Sequence, residues 1–185
     1  MAVDATNLIM GPGVLWVAPF GTTEPLDADV ASDPGAGWED VGGTNGGVRV
    51  AINQTYTELA VDQIVDPVGS RLTARVAMVS TSLAEMTMDN LARVLNNEEP
   101  TPDIGFTAFE PPNDNSATQP LYRALLFDGH APDGLVRRVI VRKVLSVESV
   151  ESSYSKDGQT LYPVSFKGHF VDSTTPPFKV IDETT

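Results

Sequence analysis

"GGVRVAINQTYTELAVDQIVDPVGSRLTARVAMVST", residues 46–81, contains two runs in which apolar and polar side chains alternate. The alternation extends from Val48 to Ile52 in the first run and from Leu72 to Met78 in the second. A period of two residues is typical of a half-buried β-strand. Pro67-Val68-Gly69 predicts a turn, so the two runs are expected to form a long antiparallel hairpin with its tip around residues 60–70.

The expected hairpin tip is mostly apolar and carries no catalytic or ligand-binding chemistry. An exposed apolar tip is a liability in a soluble monomer, unless another chain covers it. A second copy of the same chain would cover it in an oligomer. We therefore expect a contact between subunits at Ile64, Val65, Asp66, Pro67 and Val68.

The C-terminal half predicts a second long hairpin. Residues 135–154 are rich in valine, Asp157-Gly158 is a typical turn sequence, and residues 159–172 alternate again. Four of the twelve bases lie within residues 137–143, where we expect them to pair with acidic residues of a neighbouring strand.

One helix is predicted between the two hairpins. Ser82 and Glu85 match a capping box, and the helix is expected to end before Pro100. An apolar stripe at helical spacing is expected to pack on the sheet. Its members are Ala84, Met88, Leu91, Val94 and Leu95.

These elements predict a mainly β fold: a β-sandwich or open barrel with two long hairpins and one flanking α-helix. The 185 residues suit a single domain, 1–185. It would have long loops at 21–47 and 98–120 and an extended C-terminal tail at 173–185. Loops of this length are usually functional or are ordered by a partner.

The composition restricts the possible functions. The chain has no cysteine, which excludes a disulfide framework, thiolate zinc sites and cysteine nucleophiles. No apolar run is long enough to cross a membrane, and the N-terminal residues do not match a secretory signal. The formal net charge is −13, so extensive phosphate binding is unfavourable. Residues 1–70 hold ten acids and one base, Arg49.

The motifs of enzymes and metal proteins are absent from the sequence. His130 and His169 are the only histidines, and no acidic residues at ligand spacing accompany them. The glycine-rich residues 42–47 lack the lysine of a phosphate-binding loop, and the aspartates of residues 27–35 break the calcium-loop pattern at Ala31. We expect no catalytic residues, no cofactor and no metal.

Two regions resemble a known family. Residues 62–96, "DQIVDPVGSRLTARVAMVSTSLAEMTMDNLARVLN", resemble the middle of major tail tube proteins of long-tailed, siphovirus-type bacteriophages, especially those that infect actinobacteria. The segments "GVLWVAPFGTTEP" and "GWEDVGGTNGGVRV" are similar to the N-terminal region of that family. The likeness in order and spacing covers roughly residues 13–96.

The resemblance implies a structural virion protein without catalytic residues. Its subunits would form hexameric rings in which the hairpins close one inner β-barrel, and the rings would stack into a tube for genome ejection. The partners implied are other copies of the chain and the tape-measure, tail-terminator and baseplate proteins. DNA would pass through without specific binding. Assembly in the host cytoplasm would precede a final location in the virion tail.

The net negative charge suggests an acidic channel wall that repels DNA phosphates. Glu58, Glu148 and Glu151 are the candidates for the lumen, because all three are expected on long strands of the inner sheet. The alternative function is a virion decoration or host-recognition β-sandwich, with its binding site in loops 21–47 and 98–120. A tube protein would form rings or polymers, whereas the alternative would be monomeric or trimeric.

Overall fold

The computed structural model of the chain describes residues 3–112 and 120–184. The strands in these residues are β1 (Val14–Pro19), β2 (Glu39–Asp40), β3 (Thr44–Val61), β4 (Ile64–Leu83), β5 (Pro102–Asp103), β6 (Phe106–Thr107), β7 (Arg123–His130), β8 (Val136–Ser146), β9 (Tyr162–Gly168) and β10 (Phe178–Asp182). The helix α1 (Met88–Val94) follows β4, and short 3-10 turns lie at Ala5–Asn7, Asp27–Asp29 and Pro132–Gly134.

Eight strands form one antiparallel sheet in the order β2-β1-β7-β8-β9-β4-β3, with β10 paired to β8. β5 and β6 form a separate small hairpin. The mainly β fold with one α-helix, expected from the sequence, is confirmed. Because β3 pairs only with β4, the longest hairpin lies at one edge of the sheet.

The main core lies on one face of this sheet. Alternation on β1 directs Leu15 and Val17 to this face and Trp16 and Ala18 to the other. The buried side chains of the main core are Leu15, Val17, Val41, Ala77, Val79, Leu83, Val94, Leu125, Val141, Val144, Tyr162, Val164 and Phe166. α1 contributes Val94, with Leu91 packed against the same cluster, so the helix covers this face.

A smaller core on the opposite face orders the N-terminal loop. Trp38 packs there with Ala18, Ala124, Leu126 and Ile140. The indole N–H of Trp38 donates to the carbonyl of Thr23 at 3.1 Å, which closes the loop on itself. Much of the predicted loop 21–47 is therefore ordered by its own chain, and it contains the short strand β2.

Basic residues of β8 also hold this loop in place. The Arg138 guanidinium makes two bonds to the Asp128 carboxylate, at 2.6 and 2.8 Å, and donates to the Ser32 carbonyl at 2.6 Å. Arg142 pairs with Glu24 of the same loop. Arg137 pairs with Asp182 of β10. The predicted pairing of these bases with acids of a neighbouring strand is confirmed for Arg137 and Arg138, whereas Arg142 pairs with an acid of the loop.

The predicted start of the helix is wrong. Ser82 lies in β4, opposite Pro163 of β9, because strand pairing continues to Leu83. Thr87 is the N-cap, and its side chain accepts a hydrogen bond from the Asn90 N–H at 3.1 Å. The Glu85 carboxylate instead accepts from the Gly43 N–H at 2.9 Å. The helix is thus one short segment rather than four turns.

The apolar stripe predicted for the helix is only partly correct. Leu91 and Val94 face the core, but Met88 and Leu95 are exposed. The buried face is completed by Asn90 and Arg93, which are polar. Their hydrogen-bonding groups have partners: the Asn90 side-chain amide donates to the carbonyls of Val41 and Glu85. Arg93 binds Glu39 and Glu99.

The second long hairpin is not formed. β8 ends at Ser146, and residues 147–161 have no strand structure. Only Val144–Ser146 of β8 pair with β9, where they lie opposite Phe166–Gly168. The first part of β8 pairs with β10 on that side instead. The C-terminal tail, expected to be extended, provides β10 and so completes the sheet.

Candidate assembly surface

The β3–β4 hairpin extends well beyond the rest of the sheet. β9 pairs with β4 only between Met78 and Leu83, so residues 64–77 of β4 have β3 as their one strand neighbour. At about 3.4 Å per residue, this part of β4 is roughly 45 Å long. We call residues 54–75 the hairpin arm. A two-stranded ribbon is marginally stable by itself in water, so an arm of this length is suited to pairing with another chain.

The tip of the arm differs from the sequence prediction. The turn is at Asp62-Gln63, and Val61 pairs with Ile64 across it. Pro67-Val68-Gly69, predicted as the turn, lies inside β4, where Gly69 pairs with Leu59. The register shifts between Leu59 and Val61, so Pro67 and Val68 are accommodated as an irregularity of the strand, while Gly69 is in register.

All five predicted contact residues lie on the arm close to this tip. Each is exposed: Ile64, Val65, Asp66, Pro67 and Val68. Val65 is fully exposed, at 102%. Within the described residues, the structure thus presents an apolar tip that its own chain does not cover.

Both long edges of the arm are free of strand neighbours within residues 3–112 and 120–184. β3 pairs with β4 along one side only, and the other side of its 18 residues is open. The outer side of β4 is open from Ile64 to Ala77. Unpaired backbone N–H and C=O groups along such edges are templates for adding further strands.

The hairpin has two chemically distinct faces. Cross-strand partners share a face, so Val50, Ile52, Gln54, Tyr56 and Glu58 lie with Val79, Ala77, Arg75, Leu72 and Ser70. We call this the core face, because Val79 is buried in the main core. It remains on the core side out to Arg75, whose guanidinium lies 5.5 Å from the ring centre of Phe178. Phe178 in turn packs against the main core.

The other face carries a mixture of polar, apolar and basic side chains. The strand positions that share it are Arg49, Ala51, Asn53, Thr55, Thr57, Leu59, Gly69, Arg71, Ala74, Val76, Met78 and Ser80, together with Ser165 and Lys167 of β9. We call this set the open face. The hydroxyls of Ser80 and Ser165 lie 2.9 Å apart across two strands. Hydroxyl or amide groups occupy five of these positions (Asn53, Thr55, Thr57, Ser80 and Ser165), apolar side chains occupy another five (Ala51, Leu59, Ala74, Val76 and Met78), and the charged members are all basic.

The predicted lumen residues do not lie together. Glu58 is on β3, but it shares the core face with Ser70 rather than the open face. Glu148 and Glu151 follow the end of β8 and are not on any strand. The expectation that all three lie on long strands is therefore wrong for two of them, because β8 ends before the acidic residues begin.

No cluster of three or more possible metal ligands occurs in the residues that the structure describes. His169 is half-buried and packs edge-on against Tyr122, with the ring centres 5.5 Å apart. Burial and the charges of Lys167 and Lys143 lower the pKa of His169. In the described part of the chain, every helix is too short or too polar to span a bilayer.

One exposed apolar segment escaped the sequence interpretation. Val3, Leu8, Ile9 and Met10 precede β1 and are all exposed. The run "NLIM" before Gly11-Pro12-Gly13 was the available signal, since apolar residues ahead of a turn need some covering surface. A second case is the β5–β6 hairpin, where Ile104 and Phe106 are exposed.

Comparison with known proteins gives one family. A family profile described as "Phage tail tube protein" matches residues 1–185. No curated protein gives a significant match. Among solved structures, a chain of the "Virion of native gene transfer agent (GTA) particle" is 14% identical, with a TM-score of 0.42, over 99% of this chain and 100% of that one. A chain of the "Tail of empty GTA particle computed with helical refinement, C6 symmetry" is 12% identical, with a TM-score of 0.40, over 95% and 100%.

Proposed function

The chain belongs to the phage tail tube protein family and has a structural role in the virion tail, and we propose that its hairpin arms pair edge to edge to build that tube. The whole chain acts as one tail tube domain. Six subunits form a ring, as the family resemblance implies, and rings stack into a conduit for the genome. The free edges of the arm are the single observation that carries this proposal.

Edge-to-edge pairing accounts for the composition of the arm. In a ring, the open side of β3 in one subunit adds to the open side of β4 in the next. A closed barrel of hairpins then has no unpaired edge, which removes the aggregation hazard that each monomer carries. Leu59, Val61 and Leu72 are between 42% and 50% exposed. Their apolar side chains are therefore available for the added strands to pack against.

The two faces of the hairpin set its orientation in the ring. The core face continues into the main core and the helix, so it belongs on the outside of the inner barrel. The open face lies on the side of the sheet opposite the main core and carries hydroxyl, amide and basic groups beside Leu59, Val76 and Met78, so it belongs on the channel side. This orientation directs Glu58 away from the channel.

Contacts between rings involve the arm tip. Ile64, Val65 and Val68 are apolar and exposed, and they lie at the point of the subunit farthest along β4 from its packed end. They would be covered by the neighbouring ring or subunit, together with Asp66 and Pro67. The further partners are the tape-measure, tail-terminator and baseplate proteins, and the protein needs no catalytic residue or cofactor for this role. Assembly takes place in the host cytoplasm.

Val65→Asp tests the tip contact. The carboxylate would be desolvated only on assembly, so we expect tubes to be lost while the monomer keeps its fold. Negative-stain microscopy and sedimentation measure assembly, and circular dichroism with thermal unfolding measures the fold. The matched control is Val147→Asp, at an exposed valine beyond the end of β8.

Three outcomes would contradict the proposal. Tubes formed by Val65→Asp as readily as by the wild type would show that the tip makes no essential contact. A wild-type protein that stays monomeric at high concentration, with no rings in the micrographs, would argue against self-assembly through the arm. An unfolded Val65→Asp monomer would place this residue in a core, contrary to its exposure.

A further inference from the structure

The bases of the chain divide into two groups by their partners. Ion pairs with carboxylates hold Arg93, Arg123, Arg137, Arg138, Arg142 and Lys179. Arg75 and Lys143 lie over aromatic rings. In the described residues, no carboxylate lies within ion-pair distance of the other four: Arg49, Arg71, Lys156 and Lys167. Three of these four are on the open face.

The open face therefore has a charge opposite to that of the whole chain. The chain has 25 acids and 12 bases, yet the strand positions of this face carry three bases and no acid. Glu58, the nearest acid on β3, is on the core face, and Asp62 lies in the turn at the tip. Chance placement would favour acids by two to one, so the pattern points to a partner of negative charge.

Two of these bases have a hydroxyl-bearing residue as their strand partner. Arg49 is opposite Ser80, and Arg71 is opposite Thr57. Lys167 is next to Gly168 at the end of β9 and opposite Met78. Guanidinium, ammonium and hydroxyl groups are the side-chain donors that most often contact DNA phosphates, and such contacts carry no sequence information. Aromatic side chains, on which unpaired bases would stack, are absent from these strand positions.

From this arrangement we propose that the open face binds the phosphodiester backbone of double-stranded DNA, weakly and without sequence preference, through Arg49, Arg71 and Lys167. The inference rests on the proposed function only in placing this face toward the channel. It replaces an acidic, repelling wall by a sparsely basic one. Arg71 is opposite Thr57, which is about eight residues from Arg49 along β3. Arg49 and Arg71 are therefore separated by roughly 27 Å along the hairpin.

Such spacing favours movement over capture. Each neutralised phosphate contributes about −0.9 to the slope of log K against log salt, so a few contacts per subunit give weak, salt-sensitive binding. Binding of this electrostatic kind lets DNA and protein slide past each other. The bases would keep the duplex centred on a hydroxyl-lined wall, while the acids elsewhere on the chain repel DNA from the outer surface.

The test measures binding of a short fluorescent DNA duplex to the full chain at low salt by anisotropy. The triple variant Arg49→Gln, Arg71→Gln, Lys167→Gln should weaken binding by about tenfold or more and reduce the salt slope by about 2–3. Lys156→Gln removes an unpaired base outside the open face and is the matched control. It should change affinity by less than about twofold. A poly-glutamate competitor separates DNA recognition from a general attraction to acidic polymers.

We expect the wild type and the Lys156→Gln control to bind DNA and the triple variant to lose this binding. Poly-glutamate should displace the DNA poorly. No binding by the wild type, equal binding by the triple variant, or an equal loss with Lys156→Gln would each overturn the proposal. Equal displacement by poly-glutamate would assign the face to an acidic protein instead. Microscopy of the same variants distinguishes the two proposals. Tubes without DNA binding by the open face would refute only the DNA-binding proposal. DNA binding by the open face without tubes would refute only the proposed function.

Discussion

The two halves of β4 have the same alternating pattern but opposite surroundings. From Met78 to Leu83 the strand lies between β3 and β9, and Val79 and Leu83 are buried to 1% exposure. From Ile64 to Arg75 it has only β3 beside it, and its apolar side chains are exposed. The chain therefore completes one half of this strand itself, and we infer that it leaves the other half to a neighbouring copy.

The same contrast holds for charged groups. At the packed end of the molecule, Arg138 is 1% exposed and its guanidinium is bonded to Asp128 and to a loop carbonyl. On the arm, Arg71 is exposed and opposite Thr57. Substitutions at the packed end should therefore change the stability of the monomer, whereas substitutions on the arm should change only what the monomer binds.

Arg138→Ala should have the largest effect on folding. The substitution leaves the Asp128 carboxylate without its bidentate partner and frees the Ser32 carbonyl. Loss of one member of a buried ion pair destabilises a protein by about 3–5 kcal/mol. Denaturant unfolding of the monomer measures this change. Arg71→Ala is the control on the arm, and its effect should be within about 0.5 kcal/mol. Similar values for the two variants would remove the contrast in charged groups.

Leu83→Ala and Leu72→Ala compare the two halves of β4 with the same substitution. Leu83 is in the main core, and its truncation should cost about 2–5 kcal/mol of monomer stability. Leu72 is 42% exposed and opposite Tyr56, so its truncation should cost about 1 kcal/mol or less in the monomer.

For tube assembly, the order of the two substitutions should be reversed, with the larger effect at Leu72. Sedimentation of the two variants under native conditions should show weaker polymerisation for Leu72→Ala than for Leu83→Ala, provided that both are folded. If Leu72→Ala destabilises the monomer as much as Leu83→Ala does, the arm packs against its own chain and the division of β4 into two environments is wrong.

The sequence predicted the strands better than it predicted their ends. Alternation located β3 and β4 because side chains on opposite faces of a strand meet different surroundings. It did not locate the turn, since Pro67 and Gly69 are typical turn residues but the pairing of Val61 with Ile64 closes the hairpin earlier. Ser82 and Glu85 matched a capping box, but the pairing of Leu83 with Tyr162 extended the strand through it.

The faces of the hairpin could not be predicted from the sequence. The bulges within β3 and β4 change the partner of each residue, so the face shared by Arg49, Arg71 and Lys167 depends on pairings between distant segments. The predicted lumen acids rested on net charge alone. Net charge says nothing about which side of a sheet holds the acids, and β8 ends at Ser146, before Glu148 and Glu151.

Asp172 provides the smallest and most local test, at the boundary between the two halves. The loop from Asp172 to Pro177 lies beside Arg75 and Ala77, where the arm leaves the packed sheet. Hydrogen bonds from the Thr174 side chain and backbone, and then from Thr175, lower the pKa of Asp172 to about 2. The folded pKa is below the ordinary value, so these bonds stabilise the loop above about pH 4 and are lost as the pH falls through about 2.

NMR titration of the Asp172 carboxyl should give this midpoint, and Thr174→Ala should raise it. Because the loop belongs to the packed end, amide exchange on the arm should be unchanged in this variant. Faster exchange at Arg75 and beyond would show instead that the loop supports the arm, and the boundary would then lie farther out along β4.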